Sequence, residues 1–453
     1  MFWQPYQPDD KAPWNLRRAA HLHRRAGFAA AGDELQQDLK DGPRAAVDRL
    51  LAGKGHASGA PDDFEATSRL LAEAAVASGN IHRLKAWWLY RMMFSPDPLG
   101  ERLTLMWHNH FATSNRKLQD AAMMRRQNDL FRTHARGKFA DLLFAVVKDP
   151  AMLVWLDADS NRREHPNENL ARELMELFTL GVGNYTETDV KEAARALTGW
   201  TVKSREFREV AAYRDDGEKT ILGRQGAWRG DDLLALLLEQ PATSVRLARR
   251  VCELLMGEGA VDEPAIDELA AGLREHELDI GWAVETVLRS AAFFDDKNIG
   301  NRVLGPVEFV VGAVRALELL DPPPSTIVLA EWTAALGQDL FEPPNVFGWA
   351  GGRAWINTRS LIARANFAQR LADGGLQNAA APPDWLKLAE RRGCGDSADA
   401  FAGFLVQMLS ATVADDEHKR IKQAALAEET LLTPRNAVRL VAATLASPGA
   451  QLG

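Results

Sequence analysis

The chain of 453 residues has only two cysteines, Cys252 and Cys394. Two thiols provide neither a disulfide framework nor a thiolate metal cluster. Long hydrophobic runs are also missing, because the longest, such as residues 141–147 and 308–314, fall far short of the roughly 20 apolar residues that span a bilayer. The N-terminal segment lacks the basic start and apolar centre of a secretory signal. We therefore expect no membrane span and, by default, a cytoplasmic protein.

Basic residues are not in excess. The chain has 54 Lys and Arg against 62 Asp and Glu, a formal net charge of −8, whereas binding to nucleic acid needs a basic stripe that neutralises phosphates. A nucleic-acid partner is therefore not expected. One local exception is the stretch 16–28, which has four arginines and two histidines. This stretch is either a solvated helix near the start of the domain or a site for an anion or an acidic partner.

The feature that dominates the sequence is helical periodicity. Apolar residues make up 46% of the chain, recur at intervals of three and four nearly throughout, and almost never alternate as they do in strands. This pattern predicts an all-α fold with a large multi-helix domain. Two long irregular segments, at about residues 201–230 and 341–358, interrupt it, and the first is expected to include a small β-hairpin near 218–228. Loops of this length usually cover a functional region.

A stretch rich in glycine, alanine and proline at residues 373–385 divides the helical pattern. We interpret it as a hinge. It would separate a main helical domain, residues 1–372, from a C-terminal helical extension, residues 386–453. The extension is expected to pack on the main domain.

Two histidines stand one residue apart in the sequence WHNH at residues 107–110. Side chains two positions apart on an α-helix point about 200° away from each other, so His108 and His110 cannot bind one metal ion together on a regular helix. We expect one imidazole to be a hydrogen-bonded core residue. The other, with Asn109, would reach a cleft, where an imidazole can carry protons near neutral pH. Both histidines are therefore candidate catalytic residues.

The densest group of polar residues lies at 155–190. Pro166 suits the first position of a helix that ends at Gly181. Thr186 and Asp189 are spaced as a capping box for the next helix, at residues 187–198.

One face of the helix that starts near Pro166 carries charged side chains. Glu168, Arg172 and Glu176 lie opposite the buried leucines, and Glu173 lies at the boundary of this face. The pattern indicates either a solvated face with an ordinary Arg172 ion pair or, if the face lines a cleft, carboxylates for general acid and base catalysis. In the second interpretation Glu168, Glu173 and Glu176 are candidate catalytic residues, and Asn167 and Arg172 are candidate substrate-binding residues.

A calcium loop is a further interpretation of the same region. If Asp157 is counted as position one, Asp159, Asn161 and Glu168 occupy positions three, five and twelve, which is the ligand spacing of a calcium loop between two helices. Arg162 stands at position six, where the sharp turn requires glycine. These four oxygen-bearing residues are the candidate ligands of a divalent metal ion.

Tryptophan is unusually frequent, with 13 residues against four tyrosines. Trp349 and Trp355 lie in the glycine-rich irregular segment, where an indole ring can serve as a stacking platform for a sugar or another planar face. Core packing is expected for most of the other indoles. Trp349 and Trp355 are therefore candidate substrate-binding residues.

Long motifs in a fixed order lie at residues 19–28, 95–114, 149–157, 166–200, 215–226 and 343–358. Together they resemble the domain-of-unknown-function 1800 family of bacterial proteins. The resemblance implies that these motifs are family signatures. It also implies a partner, because members are often encoded beside a sulfatase-like protein of the domain-of-unknown-function 1501 family.

The chain departs from this family pattern at two places. Arg214 stands where the family tends to have a histidine, which weakens any metal site that would use that histidine. Arg163 and Glu164 stand where it tends to have Lys-Gly, which weakens a tight calcium loop.

The sequence contains no GxSxG, no P-loop, no GxGxxG after a strand and no HExxH, so no established catalytic signature assigns a reaction. The first hypothesis is a hydrolase that acts on a glycan or a similar polar polymer through carboxylate acid/base chemistry. The alternatives are a non-catalytic binding or maturation partner of a sulfatase-like protein and a metal-binding protein. Convergence of residues 108–110, 166–176 and 343–358 on one pocket would favour the enzyme.

Overall fold

The computed structural model describes residues 2–54, 61–376, 383–411, 415–426 and 430–453. These residues form 23 α-helices and two antiparallel hairpins, so the predicted all-α class is confirmed. None of the helices in these ranges is long and apolar enough to cross a membrane.

The first twelve helices precede the hairpins. They are α1 (Leu16–Ala26), α2 (Gly32–Asp41), α3 (Pro43–Leu51), α4 (Phe64–Ser78), α5 (Ile81–Phe94), α6 (Pro98–His110), α7 (Asn115–Leu118), α8 (Ala121–Thr133), α9 (Phe139–Val147), α10 (Pro150–Trp155), α11 (Asn169–Glu173) and α12 (Glu187–Ala196). The remaining helices follow the hairpins. They are α13 (Gly230–Leu238), α14 (Pro241–Leu255), α15 (Glu263–Glu275), α16 (Ile280–Leu288), α17 (Pro306–Ala316), α18 (Thr326–Ala335), α19 (Thr358–Ala372), α20 (Trp385–Arg391), α21 (Ala398–Leu409), α22 (Asp415–Leu426) and α23 (Pro434–Ala446).

Both hairpins lie in the first irregular segment. Strands β3 (Lys219–Ile221) and β4 (Arg224–Gly226) pair antiparallel, which confirms the expected hairpin. Strands β1 (Trp200–Lys203) and β2 (Glu206–Glu209) form a second hairpin that the sequence did not indicate. Its two turn residues, Ser204 and Arg205, have φ values of 53° and 61°, so this turn lacks the Asn-Gly signal by which such hairpins are usually predicted.

The helix predicted to start at Pro166 starts later and changes its geometry. The Asn167 side chain accepts a hydrogen bond from the Asn169 N–H at 2.9 Å, so this Asn turn precedes the helix and α11 begins at Asn169. A π-helix then continues from Leu174 to Thr179. The capping box of α12, by contrast, forms as predicted, with Thr186 accepting from the Asp189 N–H.

Two hydrophobic cores meet at several helices, among them α6. The first core contains apolar residues from Trp3 to Phe294, and the second contains residues from Ala19 to Leu445. Helix α6 packs into both, because Trp107 belongs to the first core and Leu105 to the second. Side chains on opposite faces of α6 are therefore buried.

The proposed hinge at 373–385 lies partly outside the described residues, since residues 377–382 are not described. Beyond it, α21 contacts α1 and α17, and α23 contacts α19. The second core is therefore shared between the start and the end of the chain. The division at residues 372 and 386 stays a prediction.

Helix α1 buries its basic stretch. His21 and Arg25 are fully buried and Arg24 nearly so, and Arg24 Nη2 donates to the carbonyls of Met408 and Ser410 at 2.8 and 3.1 Å. The interpretation of residues 16–28 as a solvated helix is therefore wrong. Arg18, Arg24 and Arg25 are instead internal donors that link α1 to distant parts of the chain.

Candidate functional site

In the C-terminal turn of α6, the side chains of Trp107, His108 and His110 each hydrogen-bond to a different segment of the chain. Trp107 Nε1 donates to the Ala135 carbonyl at 3.0 Å. His108 Nε2 accepts from the Phe341 N–H at 3.2 Å. His110 Nε2 lies 3.1 Å from the Phe178 carbonyl, and because that oxygen can only accept, the ring must carry its hydrogen on Nε2.

Both histidines are buried, with exposed fractions of 1% for His108 and 7% for His110. Burial lowers the pKa of His108 to about 3. Burial, followed by the charges of Arg250 and Arg246, lowers the pKa of His110 well below its usual value. Because the two rings lie on opposite faces of α6, we expected one to be a core residue and the other to reach a cleft. Helix α6 instead lies between two cores, and neither ring lines the cleft described below. The two rings therefore position other segments.

His110 helps to hold the π-helix. The wider turn of a π-helix changes the backbone hydrogen bonding and is frequent at functional sites. In this π-helix three carbonyls accept hydrogen bonds from side chains: Leu174 from Thr179 Oγ1 at 2.5 Å, Leu177 from Arg246 Nε at 2.6 Å, and Phe178 from His110. The polar side chains of α6 and α14 thus fix this segment.

Asn109 holds the second irregular segment. Its Oδ1 accepts the Trp349 N–H at 2.7 Å. The neighbouring Gly348 has a φ of +76°, and a Cβ at this position would lie 2.2 Å from Asn109 Oδ1. Only glycine permits both this backbone conformation and this approach. The loop backbone therefore contacts the end of α6 directly.

A cleft opens where α6, α14, the residues before α17 and the 341–358 segment meet. Its charged lining consists of Arg102, Arg250, Arg302, Glu253, Glu258 and Glu308. Asn109, Gln338, Trp349 and Trp355 also line it. The structure thus brings both tryptophans predicted to bind substrate to one cleft. Trp349 is buried, whereas Trp355 is half-buried.

Glu308 is the centre of a buried ion-pair network. Arg302 donates to it through both Nη atoms, at 2.7 and 2.6 Å, and the Gly305 N–H donates at 2.8 Å. Arg102 also contacts it. Burial alone would raise the pKa of Glu308, but the charges of Arg102 and Arg302 outweigh burial and lower it to about 2. This carboxylate is therefore ionised at neutral pH.

Other polar side chains of the cleft have N–H groups that meet no acceptor among the described residues. Arg250 lies 3.7 Å from its carboxylate partner Glu253, which is too far for a hydrogen bond, and its buried Nε has no acceptor in the described part of the chain. Gln338 uses its Oε1 to accept from the Val307 N–H at 3.0 Å. Neither Gln338 Nε2 nor Trp355 Nε1 has a hydrogen-bond acceptor among the described residues. These donors are available to a ligand.

The predicted carboxylate face lies elsewhere. Arg172 pairs with Glu168 at 3.1 Å and with Glu187 at 2.8 Å, and Glu176 accepts from the Tyr185 hydroxyl at 2.6 Å. Burial and then the charge of Glu176 raise the pKa of Glu173. The cleft lining includes neither these carboxylates nor Asn167 and Arg172. Of the three segments expected to converge, only 108–110 and 343–358 meet at the cleft.

The candidate calcium ligands have other partners. Asp157 pairs with Lys117 at 2.7 Å. The Asn161 side chain donates to the Ala194 carbonyl at 2.9 Å and accepts from the Asn167 N–H at 2.9 Å. Within the described ranges no group of three or more His, Cys, Asp or Glu side chains is arranged to hold a metal ion. Asp157, Asp159, Asn161 and Glu168 therefore form no such cluster.

Sequence reasoning missed the charged residues of the cleft. Arg250 and Glu253 lie in α14, whose amphipathic pattern is typical of a surface helix. Arg102 lies within the family motif of residues 95–114, but nothing in its spacing distinguishes it from a solvated arginine. Its importance depends on Glu308, which is far away in the sequence.

The family model for a protein of unknown function (DUF1800) matches residues 21–452. Because the match covers nearly the whole chain, the chain belongs to this family, which confirms the resemblance. No curated protein and no solved structure matches it.

Proposed function

We propose that this member of the DUF1800 family is a hydrolase that binds a glycan or a similar polar polymer in the cleft between α6, α14 and the 341–358 segment. One observation carries the proposal: the half-buried Trp355 indole lies in the same cleft as the free donors of Arg250 and Gln338. A sugar ring offers an apolar face for an indole and hydroxyl oxygens for hydrogen-bond donors. Binding by both kinds of contact would orient a chain along the cleft.

Glu253 and Glu258 are the proposed acid/base residues. Glu308 is a poor general acid, because the arginines around it keep it ionised. Glu258 packs against the loop, since a Cβ on Gly351 or Gly352 would lie within 2.3 or 2.1 Å of its carboxylate oxygens. Glu253 lies across from Arg250. The initially predicted Glu168, Glu173 and Glu176 remain the competing carboxylates.

The test is a screen of soluble polysaccharides for release of reducing ends by the wild-type protein, followed by carboxylate variants on the polymer that is cleaved. We expect Glu253→Gln or Glu258→Gln to lower the rate by about 100-fold or more, the usual contribution of a general acid or base. Glu168→Gln and Glu176→Gln are the matched controls and should retain activity. Loss of activity in the controls, with full activity in the cleft variants, would move the site to the α11 region and refute this assignment.

A docking role is a second candidate, favoured by exposed apolar side chains on the 341–358 segment and on α19, the helix that follows it. Phe347 in the loop is 65% exposed and Ile362 in α19 is 59% exposed, and such residues are typical of protein interfaces when they cluster. The partner would be the sulfatase-like protein that the family resemblance suggests. Co-purification of the two proteins, abolished by a Phe347→Ser and Ile362→Ser double variant, would support this role. Co-purification unaffected by that variant would exclude this surface.

A further inference from the structure

Arginines outnumber carboxylates around the cleft. We define the arginine cluster as Arg25, Arg102, Arg250, Arg302 and Arg364. Three of its members line the cleft, which has three glutamates, and we call the other two, Arg25 and Arg364, the second layer. The charge of Glu308 acts on both arginines of this second layer. The cluster and the cleft glutamates thus carry five positive and three negative charges.

The second layer is buried without full hydrogen bonding. Arg364 donates to Gln451 Oε1 at 3.0 Å, and Arg25 donates to the Asn298 carbonyl at 2.9 Å. No acceptor among the described residues meets Arg25 Nε, Arg25 Nη1 or Arg364 Nε. Both side chains are almost completely buried. Buried charge that is not compensated is unfavourable, so a negative charge close to the cluster would stabilise this arrangement.

Among the described residues, the cleft has free donors as well as the free carboxylates of Glu253 and Glu258. Arg250, Gln338 Nε2 and Trp355 Nε1 are donors, and a ligand that satisfies them must supply acceptors. A guanidinium group binds the oxygens of carboxylates and sulfates in a planar, bidentate geometry. Hydroxyl groups of a neutral sugar would satisfy the donors but would leave the excess positive charge unbalanced.

We infer that the polymer bound in this cleft is an anionic saccharide whose carboxylate or sulfate groups bind at Arg250. The polymeric nature of the ligand rests on the proposed function, whereas its anionic groups follow from the arginine cluster and the free donors. Arg250 is the specificity-determining residue, because it lines the cleft and hydrogen-bonds to no carboxylate among the described residues. The net charge of −8 opposes non-specific attraction of polyanions elsewhere on the chain.

Calorimetric titration with dextran, carboxymethyl-dextran and dextran sulfate of equal chain length tests this inference, because the three polymers share one backbone. We expect the wild-type protein to bind one or both anionic polymers at least tenfold more tightly than dextran. Which of the two binds better identifies carboxylate or sulfate as the preferred group. Arg250→Gln should abolish the preference for the anionic polymers, whereas Arg250→Lys should retain part of it.

Arg249→Gln is the matched control, since Arg249 is the adjacent residue and forms a partly exposed pair with Glu263 at 2.6 Å. It should bind all three polymers like the wild type. Equal affinity for the three polymers, or a preference that survives in Arg250→Gln, would overturn the inference.

Trp355→Ala separates the two proposals. Equal binding of all three polymers that is lost in Trp355→Ala would overturn the anionic inference and leave the saccharide proposal intact. Anion-selective binding that is lost in Arg250→Gln but unchanged in Trp355→Ala would support the inference and count against saccharide stacking. Absence of binding by all three polymers to a folded wild-type protein would count against both.

Discussion

Asn109 Oδ1 accepts the Trp349 backbone N–H at 2.7 Å, across 240 positions of sequence. This hydrogen bond joins the last turn of α6 to the loop that forms one side of the cleft. On either side of Asn109, His108 and His110 bind the Phe341 N–H and the Phe178 carbonyl. The WHNH motif is thus a structural junction at the edge of the cleft.

Replacing Asn109 should free the loop. Asn109→Ala removes both hydrogen-bonding groups and should lower the free energy of unfolding by about 1–2 kcal/mol, the usual cost when a partly buried donor loses its partner. Asn109→Asp keeps an acceptor for the Trp349 N–H and should retain most of the stability. Urea denaturation measures both. Equal stability of Asn109→Ala and the wild type would contradict the role of this contact.

Gly348→Ala tests the close approach of the loop to α6. Gly348 and Gly223 have the same φ of +76°, but a Cβ at Gly223 would meet nothing within 4 Å. Both alanine variants bear the cost of a left-handed conformation, about 1 kcal/mol or more, and only Gly348→Ala adds the clash with Asn109. Gly348→Ala should therefore have the lower melting temperature. Identical melting temperatures would show that the loop moves away without cost.

Glu308 should be the cleft carboxylate that stability depends on most. Glu308→Gln leaves the buried Arg102 and the partly buried Arg302 without a counter-charge, and breaking one partner of a buried pair typically costs about 3–5 kcal/mol. The control Glu263→Gln breaks the exposed pair with Arg249 and should change stability little. Chemical denaturation of the two variants compares them. A small loss of stability in Glu308→Gln would mean that water solvates the positive charges of Arg102 and Arg302 in the variant.

Stability should fall in mild acid partly because His108 is buried in its neutral form. Its pKa is about 3 in the folded protein and about 6.5 in an unfolded chain. Between these values the unfolded state binds a proton that the folded state does not, so the contribution of His108 falls by about 1.4 kcal/mol for each pH unit below about 6.5. Replacing this histidine should remove that slope.

Denaturation of wild type and His108→Gln between pH 8 and pH 5 measures the effect. The glutamine side chain can still accept the Phe341 N–H. The difference in free energy of unfolding between the two proteins should be constant above about pH 7.5, where histidine is neutral in both states, and should shift in favour of the variant below about pH 6.5. Parallel curves over the whole range would place the titration of His108 in the folded state near its normal value.

Much of the fold could be predicted from local sequence patterns, because helices, turns and caps depend mainly on residues that are close together in the sequence. Helical periodicity, the β3–β4 hairpin and the capping box at Thr186 are all of this kind. The β1–β2 hairpin was missed because Ser204 and Arg205, rather than glycine, adopt its left-handed turn.

Only some of the residues that line the cleft could be predicted from the sequence. Trp349 and Trp355 stood out because indoles in a glycine-rich loop are unusual. Arg250 and Glu308 did not, because a charged residue on an amphipathic helix looks solvated until distant segments bury it. The acidic face at Glu168 suggested chemistry, yet its carboxylate pairs locally with Arg172.

The most direct test of the cleft as the binding site is hydroxyl-radical footprinting with a saccharide polymer that the protein binds, read by mass spectrometry at single residues. We expect saturating polymer to protect Trp355 from oxidation and to leave Leu431, which is exposed on the segment before α23, unchanged. Saturated binding with no change at Trp355, and protection instead at residues 166–176, would contradict this expectation.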